Sequence, residues 1–353
     1  MTRETTDYEH VRRMRAENPK MRERDLARML DLSEAEFVSA FCGLGVGRIE
    51  IRFDEIFKGL GGVGEVMALT RNESAVHEKI GVYDRFVPGK RAAMMLGADI
   101  DTRMFPTAWV HGFAVAKTGE DGVERHSLQF FDVHGDAVHK VHTRPGTDMA
   151  AWNVLVESLL ADDQEPGLLT EVTPAEISAR PALERDKEDA LRERWQALTD
   201  THQFHGMLRD LDLHRLNALN LAGDDYAWPL AEGAVPAMMQ AAADSGQPIM
   251  CFVGNRGCIQ IHSGPIAKIA PMGPWINVMD PGFHLHLRTD HITEAWAVRK
   301  PTSDGHVTSI EAYDADGTLI IQFFGVRKEG KVERADWREL VEGLARPETV
   351  AAE

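Results

Sequence analysis

The second half of this 353-residue chain repeats the first, and that limits the fold to two copies of one domain-sized unit. VMALTRNESAVHEKIG, Val66–Gly81, lines up with IMCFVGNRGCIQIHSG, Ile249–Gly264, at an offset of 183. Val66 falls on Ile249, Met67 on Met250 and Asn72 on Asn255. DIDTRMFPTAWVHGFAV, Asp99–Val115, lies over PGFHLHLRTDHITEAWAV, with Val115 on Val298. SLQFFDVHGDAVHKV parallels SIEAYDADGTLIIQF, with Asp132 on Asp314 and Gly135 on Gly317. Each copy closes on a tryptophan-bearing helical segment, TDMAAWNVLVESL and ADWRELVEGLA. Single identities carry little weight, but matched blocks in one order establish a duplication.

The repeat sets the expected domains: 1–160 for the first copy, 161–180 for a linker, and 181–353 for the second copy. The linker is marked by Asp162, Asp163, Glu165 and two prolines. SIEAYDADGTLIIQFFG holds two β-rich runs around an Asp-Gly turn, which predicts a hairpin. AWAVRKP with VTSIEAYD predicts another just before it. Adjacent hairpins make an antiparallel meander the simplest arrangement for each half. Helical periodicity appears over 21–42, broken near Asp31–Ser33, then over 181–199, through THQFHGMLRDL and in HRLNALNLA. The expected class is α+β, with helices packed on one face of each sheet.

Charge narrows the function. A formal net charge of −17 leaves no basic footprint for nucleic acid and repels anionic membranes. No apolar run is long enough to insert in a membrane, and the charged start, MTRETTDYEHVRRMRAENPKMRERD, does not read as a signal peptide, so the expectation is cytoplasmic. Cys42, Cys251 and Cys258 are too few for a disulfide framework and match no common zinc spacing.

The chemistry concentrates in Thr201–Arg215, THQFHGMLRDLDLHR. On a helix His202, His205 and Arg209 share a face, while Phe204, Met207, Leu208 and Leu211 form the apolar side. Matching Leu30-Asp31-Leu32 with Leu211-Asp212-Leu213 sets Met21 opposite His202 and Glu34 opposite Arg215. The first copy thus has the same helix without the histidine or the cation. An imidazole beside guanidinium and aromatic groups suits haem, whose iron takes a neutral imidazole and whose propionates take Arg or Lys. Spacing alone leaves zinc or a phosphate ligand open, although no HExxH or CxxC is present.

The strings VMALTRNESAVHEKIGVYDRF, DIDTRMFP, TDTHQFHGMLR, NRGCIQIHSGPI, DPGFHLHLRTDHI, AWAVRKPTSDGHVTSIEAYDADG and QFFGVRKEG resemble the bacterial hemin-degrading factor family of the HemS/ChuS/PhuS type. The resemblance runs over roughly residues 10–345. It implies two large, curved antiparallel sheets packed with helices, and a main haem site in the second copy. It makes His202 the axial ligand to the iron and Arg103, in the IDTR string, the distal arginine. It makes Arg215 and Lys300 partners of the propionates, with Arg327 a weaker match, and places Phe323 and Phe324 near the haem edge. Position 205, commonly Phe in that family, is His here.

Two roles follow from the resemblance. As an enzyme, the protein would open the haem ring with O₂ and an external electron donor and release iron. His202 would hold the iron, and Arg103 would stabilise charge developing on the other face. No nicotinamide or flavin fingerprint is visible, so electrons would come from a partner reductase or a small reductant. As a carrier, the protein would take haem from the uptake system to a separate haem oxygenase. Three further histidine features have plainer readings. His77 could ligate a second haem but reads better as structural, His284, His286 and His291 read as scaffold rather than a metal site, and His205 reads as a solvated or hydrogen-bonded residue.

Overall fold

The computed structural model describes residues 7–119, 121–168, 170–171, 182–327 and 330–348; residues 169 and 172–180 of the expected linker lie outside them. The first repeat contributes β1 (Val46–Ile49), β2 (Gly64–Arg71), β3 (Ala75–Gly81), β4 (Phe86–Val87), β5 (Ala93–Leu96), β6 (Asp101–Met104), β7 (His111–Thr118), β8 (Glu124–Phe131) and β9 (Ala137–Thr147). The second contributes β10 (Ala227–Leu230), β11 (Ile249–Gly254), β12 (Cys258–Gly264), β13 (Ile269–Met272), β14 (Trp275–Asp280), β15 (Phe283–Arg288), β16 (Glu294–Thr302), β17 (Gly305–Tyr313) and β18 (Leu319–Gly325).

These strands form two nine-stranded sheets, ordered β1-β7-β8-β9-β2-β3-β15-β14-β13 and β10-β16-β17-β18-β11-β12-β6-β5-β4. Adding nine to every strand of the first order, and wrapping round after eighteen, gives the second. The topology therefore carries the duplication strand by strand. It also corrects the simple meander. Within each repeat β7–β9 and β16–β18 do run as meanders, but β4–β6 and β13–β15 belong to the sheet begun by the other repeat.

The described residues group into two compact units. One falls within Met1–Arg71, His77–Glu176 and Gly254–Gln260, the other within Asn72–Val76, Ile177–Val253 and Ile261–Glu353.

The helical break expected near Asp31–Ser33 is a left-handed turn. Asp31 has φ 54° and Asp212 φ 49°, and among the described residues only these two non-glycine residues have positive φ. Asp tolerates this region because its short polar side chain bonds locally. The turns match in detail: Leu32 N–H donates to Ala27 C=O and Leu213 N–H to Leu208 C=O, both at 2.9 Å. Helices Glu23–Met29 and Glu34–Ser39 thus correspond to Gln203–Asp210 and Arg215–Ala222. The expected 181–199 helix is shorter, at Glu188–Gln196 after a 3₁₀ turn. Helix Ala234–Ser245 carries no charged residue before Asp244, so periodicity does not mark it.

In the second unit the sheet contributes apolar side chains to a core on each face. Ile310, Ala312 and Phe323 point into a core with Val235, Met238 and Trp337, under helices Ala234–Ser245 and Ala335–Glu342. Trp296, Val298 and Tyr313 point the other way, into a core with Leu191, Trp195, Phe204, Met207 and Leu216. The second core carries the Thr201–Arg215 segment.

Candidate functional site

His202 is the N-cap residue of helix Gln203–Asp210, and its side chain is 92% exposed. Asp200 fixes it. One carboxylate oxygen, Oδ1, accepts from the His202 backbone N–H at 2.8 Å and lies 2.7 Å from ring Nδ1. These contacts hold the Asp200 carboxyl below its ordinary pKa. Gln203 completes the turn, its Oε1 accepting from the backbone N–H of Thr199 at 2.9 Å and of Asp200 at 3.3 Å. With Nδ1 donating to the carboxylate, Nε2 is the ring atom left with a lone pair.

Beneath this turn lies a buried ion cluster. Strand alternation and the pairings Trp296↔Glu311, Val298↔Ser309, Lys300↔Val307, Glu311↔Gln322 and Ser309↔Phe324 put Lys300, Ser309, Glu311, Tyr313, Gln322 and Phe324 on one face. Arg215, at the start of its helix, reaches Glu311 with Nε at 2.8 Å and Nη2 at 2.6 Å. Glu311 also accepts from Lys300 Nζ at 2.8 Å, from Tyr313 OH at 2.5 Å, from Ser309 Oγ at 2.9 Å and from Gln322 Nε2 at 2.9 Å. Glu311 is fully buried. Burial alone would raise its pKa, but the two cations hold it well below the usual range. Burial pushes Lys300 down to about 8 against the pull of Glu311. With all three charged, the cluster has one net positive charge.

Phe204 roofs the cluster. Arg215 Cζ lies 4.9 Å and Lys300 Nζ 4.7 Å from its ring centre. Lys300 Nζ also lies 6.0 Å from the Phe324 ring, which meets Phe252 edge-on at 5.0 Å. Met250, Phe252, Gln322 and Phe324 are half-buried on this face, so it offers a flat apolar wall. His205 shares the neighbourhood: burial, then Arg215 and Lys300, push its pKa down, which favours the neutral ring. The field of Arg327 reaches Asp200 and lowers its pKa further.

The structure thus brings His202, His205, Arg215, Lys300, Phe324 and Arg327 into one unit. Phe323, next along the strand from Phe324, faces the opposite core and is 1% exposed. Arg103 is in the first unit, on β6, where its guanidinium bonds the Asp101 carboxylate and the Thr102 carbonyl. Arg215 and Lys300, expected to meet propionates, both make their closest polar contacts with Glu311. His77 is fully buried in β3, closed off from any ligand approaching from solvent. His286 Nδ1 lies 2.7 Å from Asn277 Oδ1, and His291 Nδ1 lies 3.0 Å from Ser74 Oγ. No group of three metal-ligating side chains occurs among the described residues.

Glu311, Tyr313 and Asp200 escape a reading of sequence alone. A signal for Glu311 does exist in the duplication. By strand register Gln129, paired with Lys140, stands where Glu311 pairs with Gln322, and Glu34 stands where Arg215 does. In the first unit Glu34 is the buried acid, with Lys140 Nζ at 2.5 Å and Arg71 beside it. Each copy thus buries one acid against two cations, with the acid on the helix in the first copy and on the strand in the second. Burial opposes ionisation of Glu34, yet Lys140 and Arg71 bring its pKa down to about 2.

Known proteins are similar to this chain over nearly its whole length. A family model for the haemin-degrading HemS.ChuX domain matches twice, at residues 31–159 and 212–344. The hemin transport protein HmuS of Yersinia pestis is 38% identical, covering 98% of this chain and 99% of its own. Holo-PhuS, a heme-binding protein from Pseudomonas aeruginosa, is 43% identical with a TM-score of 0.91, covering 96% of this chain and 98% of its own. The heme degrading enzyme ChuS of Escherichia coli O157:H7 is 37% identical with a TM-score of 0.86, covering 96% and 98%. No helix among the described residues is long and apolar enough to cross a membrane. On the doubled fold, the repeated domain match and the end-to-end similarity, the chain belongs to the haemin-degrading HemS/ChuX-domain family.

Proposed function

We propose that this protein binds haem through His202 and opens the ring oxidatively to release iron, with O₂ and an external electron donor. The observation that carries the reading is the His202 imidazole: it is exposed, held through Nδ1 by Asp200 and left with Nε2 outward, in the unit that carries the Phe252–Phe324 wall and the net-positive cluster. That donor set fits haem: a neutral nitrogen for the iron, an aromatic surface for the macrocycle and cationic character for the propionates. Bound haem supplies the iron at which oxygen and electrons meet. The chain's residues supply the rest.

His202 presents its lone pair without reorganising, because its ring is already fixed. The Arg215–Glu311–Lys300 cluster contributes a standing positive field near the wall, and Arg327 adds a cation on the Asp200 side. We assign Arg103 a role in turnover, as a donor to charge that develops during ring opening. Electrons come from a reductase or a small reductant, and the uptake system supplies the haem.

A carrier reading is favoured by the same exposure of His202, which would let a ligand leave for a second protein without unfolding the site. The test is a haem titration of wild type and His202→Ala, followed by ascorbate in air with catalase present. Saturable one-to-one binding with a His202-dependent spectrum, then loss of the Soret band and growth of bile-pigment absorbance, supports ring opening. A stable Soret band with every electron donor tried leaves the carrier role. An unchanged spectrum in His202→Ala removes His202 as the ligand.

A further inference from the structure

We propose that Asp200 is the positioning residue of this site: its carboxylate fixes which ring nitrogen of His202 binds iron and strengthens that nitrogen as a donor. The inference rests on His202 being the ligand.

The geometry is specific. A single oxygen, Asp200 Oδ1, is shared by the His202 backbone N–H at 2.8 Å and ring Nδ1 at 2.7 Å. The backbone bond ties the carboxylate to the same residue whose ring it touches. The ring and its partner therefore move as one body. Asp200 is held in turn by Gln203, through the side-chain oxygen bond to the Asp200 N–H at 3.3 Å and the Gln203 N–H bond to the Asp200 carbonyl at 3.1 Å. A residue needed only to cap the helix would satisfy backbone N–H groups and leave the ring alone.

An anionic acceptor on Nδ1–H places the proton there and leaves Nε2 bare. It also pushes electron density onto Nε2, as carboxylates do for histidine ligands generally. A stronger nitrogen donor stabilises ferric over ferrous haem and lowers the reduction potential. Asp200 therefore sets both the tautomer of the free protein and the redox poise of the loaded one.

Asp200→Asn is the decisive variant, because the amide oxygen can still accept from the His202 backbone while the negative charge is gone. Four measurements are made on the full chain. Haem titration is expected to show one-to-one binding weakened by roughly 10- to 100-fold. The preference for ferric over ferrous haem is expected to fall about tenfold, a rise of roughly 59 mV. In the haem-free protein, ¹⁵N spectra of the His202 ring are expected to show Nδ1–H in wild type and mixed tautomers in the variant. The iron–histidine stretch of the ferrous form falls in frequency in Asp200→Asn and recovers in part in Asp200→Glu.

An unchanged potential, stretch and tautomer in Asp200→Asn, with haem still bound through His202, overturns the role of Asp200 and leaves the binding reading standing. A His202→Ala protein with a wild-type haem spectrum overturns both, which separates the two failures.

Discussion

Removing the charge of Glu311 tests whether the second-unit cluster is a true buried ion group. Glu311 accepts six hydrogen bonds from five residues, Arg215, Lys300, Ser309, Tyr313 and Gln322. In Glu311→Gln the amide nitrogen must turn toward cationic donors, and Arg215 and Lys300 lose their counter-charge. Breaking a buried pair by deleting one partner costs about 3–5 kcal/mol. For a unit of this size that is roughly 6–20 °C in Tm. The assay is thermal and urea unfolding of the full chain, followed by tryptophan emission, since Trp195 and Trp296 lie in the core around the cluster. The combined variant Arg215→Met, Glu311→Leu, Lys300→Met should recover most of the loss, because apolar groups of similar volume need no partners. The pH dependence has a defined sign. Lys300 has a folded pKa of about 8, below the ordinary lysine value. Between those values the unfolded chain holds more protons, so this contribution to stability rises with pH. Loss of Glu311 lowers the Lys300 pKa further, so the defect should shrink as pH rises toward 8 and level off above it. A Glu311→Gln protein within about 1 kcal/mol of wild type would refute the buried-cluster reasoning. A combined variant as unstable as the single one would show that shape, not charge, is at stake.

Three other outcomes follow from particular residues. Phe323→Ala should cost about 3–5 kcal/mol of stability by opening the core under helix Ala234–Ser245, whereas Phe324→Ala should spare stability and weaken haem binding; denaturant midpoints and haem titrations separate the two. Acid should destabilise the first unit from about pH 6.5 downward, because burial holds His139 at about 3 and His142 at about 4 while the unfolded imidazoles take up protons. The slope for each is at most about 1.4 kcal/mol per pH unit, and His142→Leu should flatten the fall of Tm between pH 6.5 and 4. Arg103→Ala should keep haem affinity but slow ascorbate-driven loss of the Soret band, of order 10²-fold if Arg103 acts as one preorganised donor; an unchanged rate removes it from the mechanism.

The duplication was the most legible feature of the chain, because it is written in ordered blocks that need no three-dimensional knowledge. Hairpins were legible where a turn residue has one conformational purpose. Gly317, in the Asp-Gly turn between β17 and β18, has φ 78° and donates its N–H to the Asp314 carbonyl. The exchange of β4–β6 and β13–β15 was not legible, since local periodicity says which face a strand buries and nothing about which sheet receives it. Helix Ala234–Ser245 was hidden by its small, mostly apolar residues, with no charge before Asp244 to mark a polar face. Phe323 and Phe324 show a sharper limit. A resemblance places both near haem, but period-two alternation makes adjacent strand residues face opposite ways, and only Phe324 shares the face of Lys300 and Gln322.

The hardest residue to read was Glu311, and the reason is physical. Its importance lies in what surrounds it, not in its type, and a glutamate in a strand normally signals a solvated face. Yet the repeat did hold the clue, in the substitution of Arg215 for Glu34 across equivalent helix starts. A buried acid on a helix in one copy and a buried base at the same place in the other can both fold only if the strand beneath changes sign too. Gln129 with Lys140 and Glu311 with Gln322 are that change. Duplication therefore preserved the requirement for a neutralised polar layer while freeing its sign. The first copy keeps its acid on the helix, against Lys140 and Arg71. The second copy has Phe204 where the first has Glu23, so Lys300 stacks on an aromatic ring where Lys117 bonds a carboxylate. That exchange puts an aromatic ring over both cations of the second cluster, where the first copy places a second carboxylate.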